Sequence, residues 1–338
     1  MRKIYSIPAF LLLCLAGYSQ GEIKLGPQTA FVFATLETGK RILTARDEFI
    51  MRLSPFDRAA RMKTDKEVSE KDFLEFLGRN VLSWSEGEKQ KTASALQDIT
   101  SRLERFSHRF PPSIYLIMTT GSEEGGAAYT RDSAIVIPRA EIEGSPAMLQ
   151  RMLCHEFFHI LTRNDPALRE QLYNTIGFTR CQEIEFPQNL KSRKITNPDA
   201  PRNDYGIFIK KEGKMYWAVP ILFSSRETYD VKLGGEFFNY LQFQFLLAER
   251  HDAQPGETPV FDAGKPQLAD PQQISGFFEQ VGRNTSYLLH PDEILADNFA
   301  LLVLGKKDVA SREILEKMEK VLSEKKIGPN PGSEKNIN

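Results

Sequence analysis

The sequence predicts an α+β fold: a small mixed sheet, a helix that carries the chemistry, a helical C-terminal part, and a long insertion with a β-hairpin. Three observations predict it. Apolar residues recur at helical spacing before Pro111 and again after His290, short runs rich in Ile, Val, Tyr and Leu lie between Ser113 and Pro138, and prolines break up residues 180–271. The chain has 338 residues with Lys+Arg 44 against Asp+Glu 45, 41% hydrophobic and 26% charged. That composition supports a real core, and the near-neutral charge supplies no field for nucleic acid or an anionic membrane surface.

Arg2 and Lys3 precede an apolar run from Ile4 to Gly17, and small residues at Gly17 and Ser19 suit cleavage before Gln20. This is the pattern of a secretory signal peptide over residues 1–19. The run is shorter than the ~20 residues that span a bilayer. Leu13 ahead of Cys14 speaks against lipid attachment. The expected location is secreted or periplasmic, with a soluble mature chain and no stable membrane insertion after signal removal. Losing Arg2 and Lys3 leaves 42 basic against 45 acidic residues, a charge of −3. Cys154 and Cys181 remain, and they either pair in an oxidising compartment or stay as buried thiols.

Residues 20–110 are expected to form a mostly helical segment. Phe73, Phe76, Leu77, Val81 and Leu82 keep helical spacing, and Ser85 with Glu88 is a capping-box start for a second helix that ends before Pro111-Pro112. A core over 111–305 follows. Its strands are Ser113–Thr119, Ala127–Thr130 and Ala134–Pro138, with a glycine-rich turn at Gly121–Gly126, and Ser145-Pro146 opens a helix through Leu161. The insertion, 180–271, begins with a strand at Arg180–Phe186 and a surface loop at Pro187–Asp204. It continues with a hairpin over Tyr205–Phe223 turning at Glu212-Gly213, a strand over Phe237–Leu247, and a loop over Asp252–Pro271. Helices are predicted over Gln272–Val281 and Pro291–Leu304. Residues 306–338 carry an amphipathic helix, Ser311–Leu322, and a polar tail.

The chemistry concentrates at His155-Glu156-Phe157-Phe158-His159. Residues four apart on a helix share a face, so both imidazoles can reach one ion while Glu156 addresses a water beside it. Zinc is the expected metal, because imidazole and carboxylate suit it and it keeps a position open for water. The alternative is two histidines on a core face. Two histidines leave the site short of a ligand, and Glu293 in His290-Pro291-Asp292-Glu293 is the candidate. Asp297, one turn on, shares its face and could accept the free N–H of a ligating histidine. The alternative there is a solvated helix face. Glu183 is the second candidate for the third ligand.

These residues resemble the gluzincin branch of the zinc metallopeptidases, to which thermolysin and anthrax lethal factor belong. The likeness lies in the helix–strand–strand order before His155-Glu156-Phe157-Phe158-His159 and in the later helix with Glu293 and Asp297; Tyr287, shortly before Glu293, is similar to the lethal-factor side. It covers roughly Ser94–Leu161 and Asn284–Leu304, and the stretch between His159 and Glu293 is longer than such cores usually carry. The resemblance implies a zincin-like core with Zn2+ held by His155, His159 and Glu293. It implies an exported zinc metallopeptidase acting on a peptide or protein, with Glu156 as general base and Tyr287, or else His290, as donor to the oxyanion. It also implies that the strand Gly125–Thr130 lines the cleft and takes an extended peptide as an added strand, its glycines allowing close approach. Tyr216, Trp217 and Tyr229 could supply side-chain pockets, and the insertion would build the far wall. Two other readings stand: a non-catalytic zinc-binding protein of this fold, and a zinc hydrolase acting on another amide or ester.

Overall fold

Residues 23–33 form two strands, β1 (Ile23–Leu25) and β2 (Thr29–Phe33), paired antiparallel across a tight turn. The computed structural model describes residues 23–249 and 267–324. The expected signal peptide, most of the loop after Asp252 and the polar tail lie outside the described residues. Three short helices follow, α1 (Leu36–Leu43), α2 (Glu48–Arg52) and α3 (Pro55–Arg61), each opened by a side chain that accepts a free backbone N–H: Thr35, Asp47 and Ser54. Next come α4 (Glu70–Asn80), β3 (Val81–Leu82) and α5 (Glu86–Leu103). The capping box of α5 forms as its sequence predicts, Ser85 N donating to Glu88 Oε2 at 2.7 Å and Glu88 N to Ser85 Oγ at 3.3 Å.

The strands β4 (Ser113–Thr119), β5 (Tyr129–Arg131) and β6 (Ala134–Pro138) lead through α6 (Arg139–Glu143) to α7 (Pro146–Asn164) and α8 (Pro166–Asn174). The first sheet runs β1-β2-β4-β6-β5 with β3 also on β4. It is mixed: β2, β4 and β6 are parallel neighbours and the remaining pairs are antiparallel. After it come β7 (Phe178–Arg180), β8 (Tyr205–Lys211), β9 (Lys214–Ser224), β10 (Leu241–Glu249) and β11 (Gln267–Ala269). These form a second, antiparallel sheet in the order β11-β10-β9-β8-β7. The chain closes with α9 (Phe278–Val281), α10 (Pro291–Val303) and α11 (Arg312–Ser323). The protein is thus α+β, with two sheets among the described residues.

Strand alternation places the core. Along β4, Ile114, Leu116 and Met118 face the layer of α5, α7 and α10, while Ile117 faces Leu43 of α1 and Phe73 and Leu77 of α4. Aromatic rings join the helices to the sheet: Phe157 lies 5.2 Å from Phe31 on β2, and Phe158 lies 5.7 Å from Phe299 on α10.

The structure departs from the sequence expectations in several places. The 20–110 segment is mostly helical, but its strands β1 and β2 belong to the same sheet as β4–β6. The helix expected over Gln272–Val281 breaks into a 3₁₀ turn, Pro271–Gln273, and α9, because Gly276 takes φ +84° and Ser275 bridges to Lys210. The strand expected over Arg180–Phe186 ends at Arg180, and Phe237–Tyr240 is a 3₁₀ turn ahead of β10. The strands expected in the insertion join one five-stranded sheet, and its hairpin turns at Glu212-Gly213 as predicted. Cys154 and Cys181 are not joined; burial pushes the Cys154 thiol up to about 12 and the Cys181 thiol up to about 11.

One buried cation ties the N-terminal helices to the insertion. Arg61 donates to Asp57 Oδ1 at 2.6 Å, to both oxygens of Glu124 at 2.7 and 2.8 Å, and to the Thr196 carbonyl at 3.0 Å, with the Phe237 ring 4.3 Å away. Its side chain is 0% exposed. Arg61→Ala would leave the buried carboxylates of Asp57 and Glu124 without their countercharge, so it is expected to lower stability by about 3–5 kcal/mol. Arg46→Ala, which breaks an exposed pair with Glu70, is expected to cost less than about 1 kcal/mol. Urea denaturation compares the two, and equal midpoints would contradict the hub role of Arg61.

Candidate metal centre

Helix α7 starts where Ser145 accepts the Met148 N–H at 3.3 Å, with Pro146 in its first turn. Its apolar residues Phe157, Phe158 and Leu161 are wholly buried, and that orientation turns His155, Glu156 and His159 toward α10. Helix α10 starts at His290, whose Nδ1 accepts the Asp292 N–H at 3.1 Å, and presents Asp292 and Glu293 in its first turn.

The two helices bring His155, His159 and Glu293 together, with one possible ligand atom from each lying within 4.8 Å of the others. His155 Nε2 is 3.1 Å and His159 Nε2 3.7 Å from the same oxygen, Glu293 Oε2. Behind the rings, His155 Nδ1 meets Asp297 Oδ1 at 3.2 Å and His159 Nδ1 meets Asp292 Oδ2 at 2.7 Å. A carboxylate against each Nδ1 fixes the orientation of each ring and turns both Nε2 atoms toward Glu293 Oε2. Asn197 Nδ2 donates to Glu293 Oε1 at 2.6 Å, so Glu293 has one oxygen held and one directed at the histidines.

A second group, Glu156, His159 and Asp199, also meets within 4.8 Å. His159 Nε2 and Glu156 Oε2 are buried without a hydrogen-bond partner, which an isolated apolar pocket would penalise by about 1–3 kcal/mol each. Burial, reinforced by the Asp199 charge, pushes the Glu156 carboxyl up to about 8. Burial alone would lower the His159 imidazole, but Asp199, Glu293 and Asp292 raise it to about 9. Burial opposes ionisation of Asp292 too, yet the His159 charge and hydrogen bond hold its carboxyl far below the usual range. These groups could hold a metal ion.

Other predicted residues fall elsewhere. Glu183 is not brought to the histidines; it pairs with Arg52 at 2.8 Å. Tyr287 stands at the mouth, 39% exposed, its ring 6.3 Å from that of His155. Beside it is a cavity of about 40 Å³, lined among others by Ala127, Ala128, Asn197, Asp199 and Phe238. His290 is buried and caps α10, with burial lowering its imidazole to about 4. The edge expected to receive a peptide strand is taken at Thr130, whose N–H and hydroxyl donate to Asp199 Oδ1 at 2.7 and 2.5 Å. The close approach expected at Gly125 is made by Phe238, 2.9 Å from where a Cβ would stand. Tyr216, Trp217 and Tyr229 are core residues, with Trp217 packed on Phe208 and Tyr229 on Tyr240.

Sequence reasoning missed Asp292, Asn197 and Asp199. Asp292 gave no separate signal, because an acid in a helix's first turn already has a dipole explanation. It accepts from Tyr173 at 2.7 Å and Thr162 at 3.3 Å as well as facing His159. The other two lie in a stretch without periodicity that was expected to be a surface loop, although Ile195 and Thr196 within it are buried. Comparison of the chain with family models, with curated proteins and with solved structures gives no match.

Two measurements check this geometry. Glu293→Ala is expected to weaken metal uptake by at least about 100-fold and Glu183→Ala to leave it unchanged, read by chelator competition; the reverse order would move the third ligand. The second concerns pH. His290 is lowered from 6.5 to about 4 in the folded chain, so the unfolded chain takes up the proton first. Its contribution is therefore whole above pH ~6.5 and is lost as pH falls toward ~4. In metal-free protein, His290→Asn keeps a capping side chain without a titrating group and is expected to remove that part of the acid loss. Urea midpoints followed downward from neutral pH should converge for the two proteins, and parallel curves would refute the capping account.

Proposed function

We propose that this chain is an exported zinc metallopeptidase with a zincin-like, gluzincin-type core. The observation that carries the reading is the convergence of His155 Nε2 and His159 Nε2 on Glu293 Oε2, each ring backed by a carboxylate on Nδ1, with Glu156 buried alongside. Imidazole, imidazole and carboxylate is a donor set that suits zinc, and the unpartnered His159 Nε2 fits the same assignment. Zinc, when bound, supplies a Lewis acid that polarises the scissile carbonyl and makes water a better nucleophile.

The chain's own residues do the rest. Glu156 takes the proton of the attacking water and passes it to the leaving amine. Tyr287 donates its hydroxyl to the developing oxyanion from the mouth of the site. Asp297 and Asp292 hold the histidine rings in register, and Asn197 holds Glu293. Export is supported by the charged, apolar and small-residue pattern of residues 1–19. No described helix is long and apolar enough to cross a membrane.

A second reading, a non-catalytic zinc site of the same fold, is favoured by one observation: Asp199 adds a further carboxylate beside His159, in a group with Glu156. A hydrolase of some smaller amide or ester is favoured by the narrow cavity beside Tyr287, about 40 Å³. Zinc content and cleavage of a peptide library and of small amides and esters, for wild type and Glu156→Gln, separate the three. Zinc in both proteins and hydrolysis at least about 100-fold slower in the variant is the expected result. Zinc without hydrolysis by either protein favours the non-catalytic reading, and a wild type that takes up no zinc removes all three.

A further inference from the structure

Asp199 lies on none of the helices that carry the other ionisable groups. It belongs to the segment between β7 and β8, and its own anchors bring it to His159. Thr130 N and Oγ1 donate to its Oδ1 at 2.7 and 2.5 Å, its N–H goes to Asn197 Oδ1 at 2.9 Å, and its carbonyl accepts from Arg163 at 3.2 Å. Both Thr130 donors go to one oxygen, which leaves the second for another partner. Three residues earlier, Thr196 N and Oγ1 donate to the buried Asp57, and the Thr196 carbonyl accepts from Arg61. The loop is thus built to deliver a carboxylate to this place.

An uncharged acceptor would serve Thr130 as well as an aspartate does. Asp199 stands with Glu156 and His159, one possible ligand atom from each lying within 4.8 Å of the others. In that group Glu156 Oε2 and His159 Nε2 are buried without a hydrogen-bond partner.

We propose that Asp199 is a fourth protein ligand of the metal centre, standing in the position that a zinc hydrolase keeps for water, so that the resting chain caps its own site. The proposal rests on the reading that His155, His159 and Glu293 hold zinc. It gives the segment 195–199 a regulatory role: water and substrate reach the metal only as the Asp199 carboxylate leaves it. It also joins the two functional readings above, since a capped site is closed at rest and hydrolytic once opened.

The test uses the full exported chain, loaded with Zn2+ or Co2+, as wild type, Asp199→Asn and Thr130→Val. Asparagine keeps an acceptor oxygen for Thr130, and valine keeps the Thr130 N–H, so both are expected to fold, checked by far-ultraviolet circular dichroism. Asp199→Asn should weaken zinc binding at least about tenfold, change the visible spectrum of the Co2+ form, and raise the affinity of that form for acetohydroxamate at least about tenfold. Thr130→Val should move all three readouts the same way by a smaller factor, and it decides the matter alone where Asp199→Asn does not fold. If neither variant moves any of the three while Glu293→Ala has lost zinc, the capping role is wrong and the zinc reading stands. If wild type takes up no zinc, both fall together.

Discussion

The site depends on one constraint: Glu156, His159, Asp292 and Glu293 are all nearly removed from water, so each must find its partner inside the protein. Asp292 does so through His159, Tyr173 and Thr162, and Glu293 through Asn197 and His155. Asp297, less buried, takes His155 Nδ1, Thr285 and Arg151. When these assignments are made, the atoms left over are an imidazole nitrogen of His159 and an oxygen of Glu156. They are neighbours, and with Asp199 added the surroundings carry more carboxylate than the two imidazoles can balance. Such a set could hold a cation.

The same bookkeeping explains why the N-terminal helices are part of the fold. β1 and β2 extend the sheet on which α7 packs, and Phe31 of β2 touches Phe157 between His155 and His159. Arg61 then reaches from α3 to the Glu124 turn before β5 and to Thr196 in the insertion. Removing residues 23–61 as a detachable leader would strip two strands from the sheet and take Asp57 and Arg61 away from Glu124 and Thr196. The segment is therefore structural, and the insertion's approach to the site depends on it.

What was legible in the sequence was local. The helices α4, α5, α7, α10 and α11 announce themselves through periodicity and through caps such as Ser69, Ser85 and Ser145, which act within one turn. The spacing of His155 and His159, and of Glu293 and Asp297, carries the same kind of information, because four residues along a helix define a face. What was hidden depends on long-range pairing. β1 and β2 are three and five residues long, and β2 is placed by a parallel partner more than 80 positions away. Asn197 and Asp199 sit in an aperiodic, proline-containing stretch whose position is set by Arg61, Asp57 and Thr130, none of them near in sequence. Trp217 and Tyr216 carry no mark that separates a core aromatic from one lining a pocket.

The segment that was hardest to read is also the one with unequal anchors. At Thr196 it is held by a buried ion cluster, in which breaking a partner costs about 3–5 kcal/mol. At Asp199 it is held by the two Thr130 bonds and by Arg163 at its carbonyl, each worth about 1–3 kcal/mol net. Opening at Asp199 breaks part-buried single hydrogen bonds, whereas release at Thr196 breaks buried ones to Asp57 and Arg61 of the ion cluster. Pro198 lies between the two anchors and restricts the chain there. Motion at this site is thereby confined to the Asp199 end, which touches both the edge of β5 and the surroundings of His159. The carboxylate that covers the strand edge at Thr130 is the one that reaches His159, so a movement that frees the first also changes the surroundings of the second.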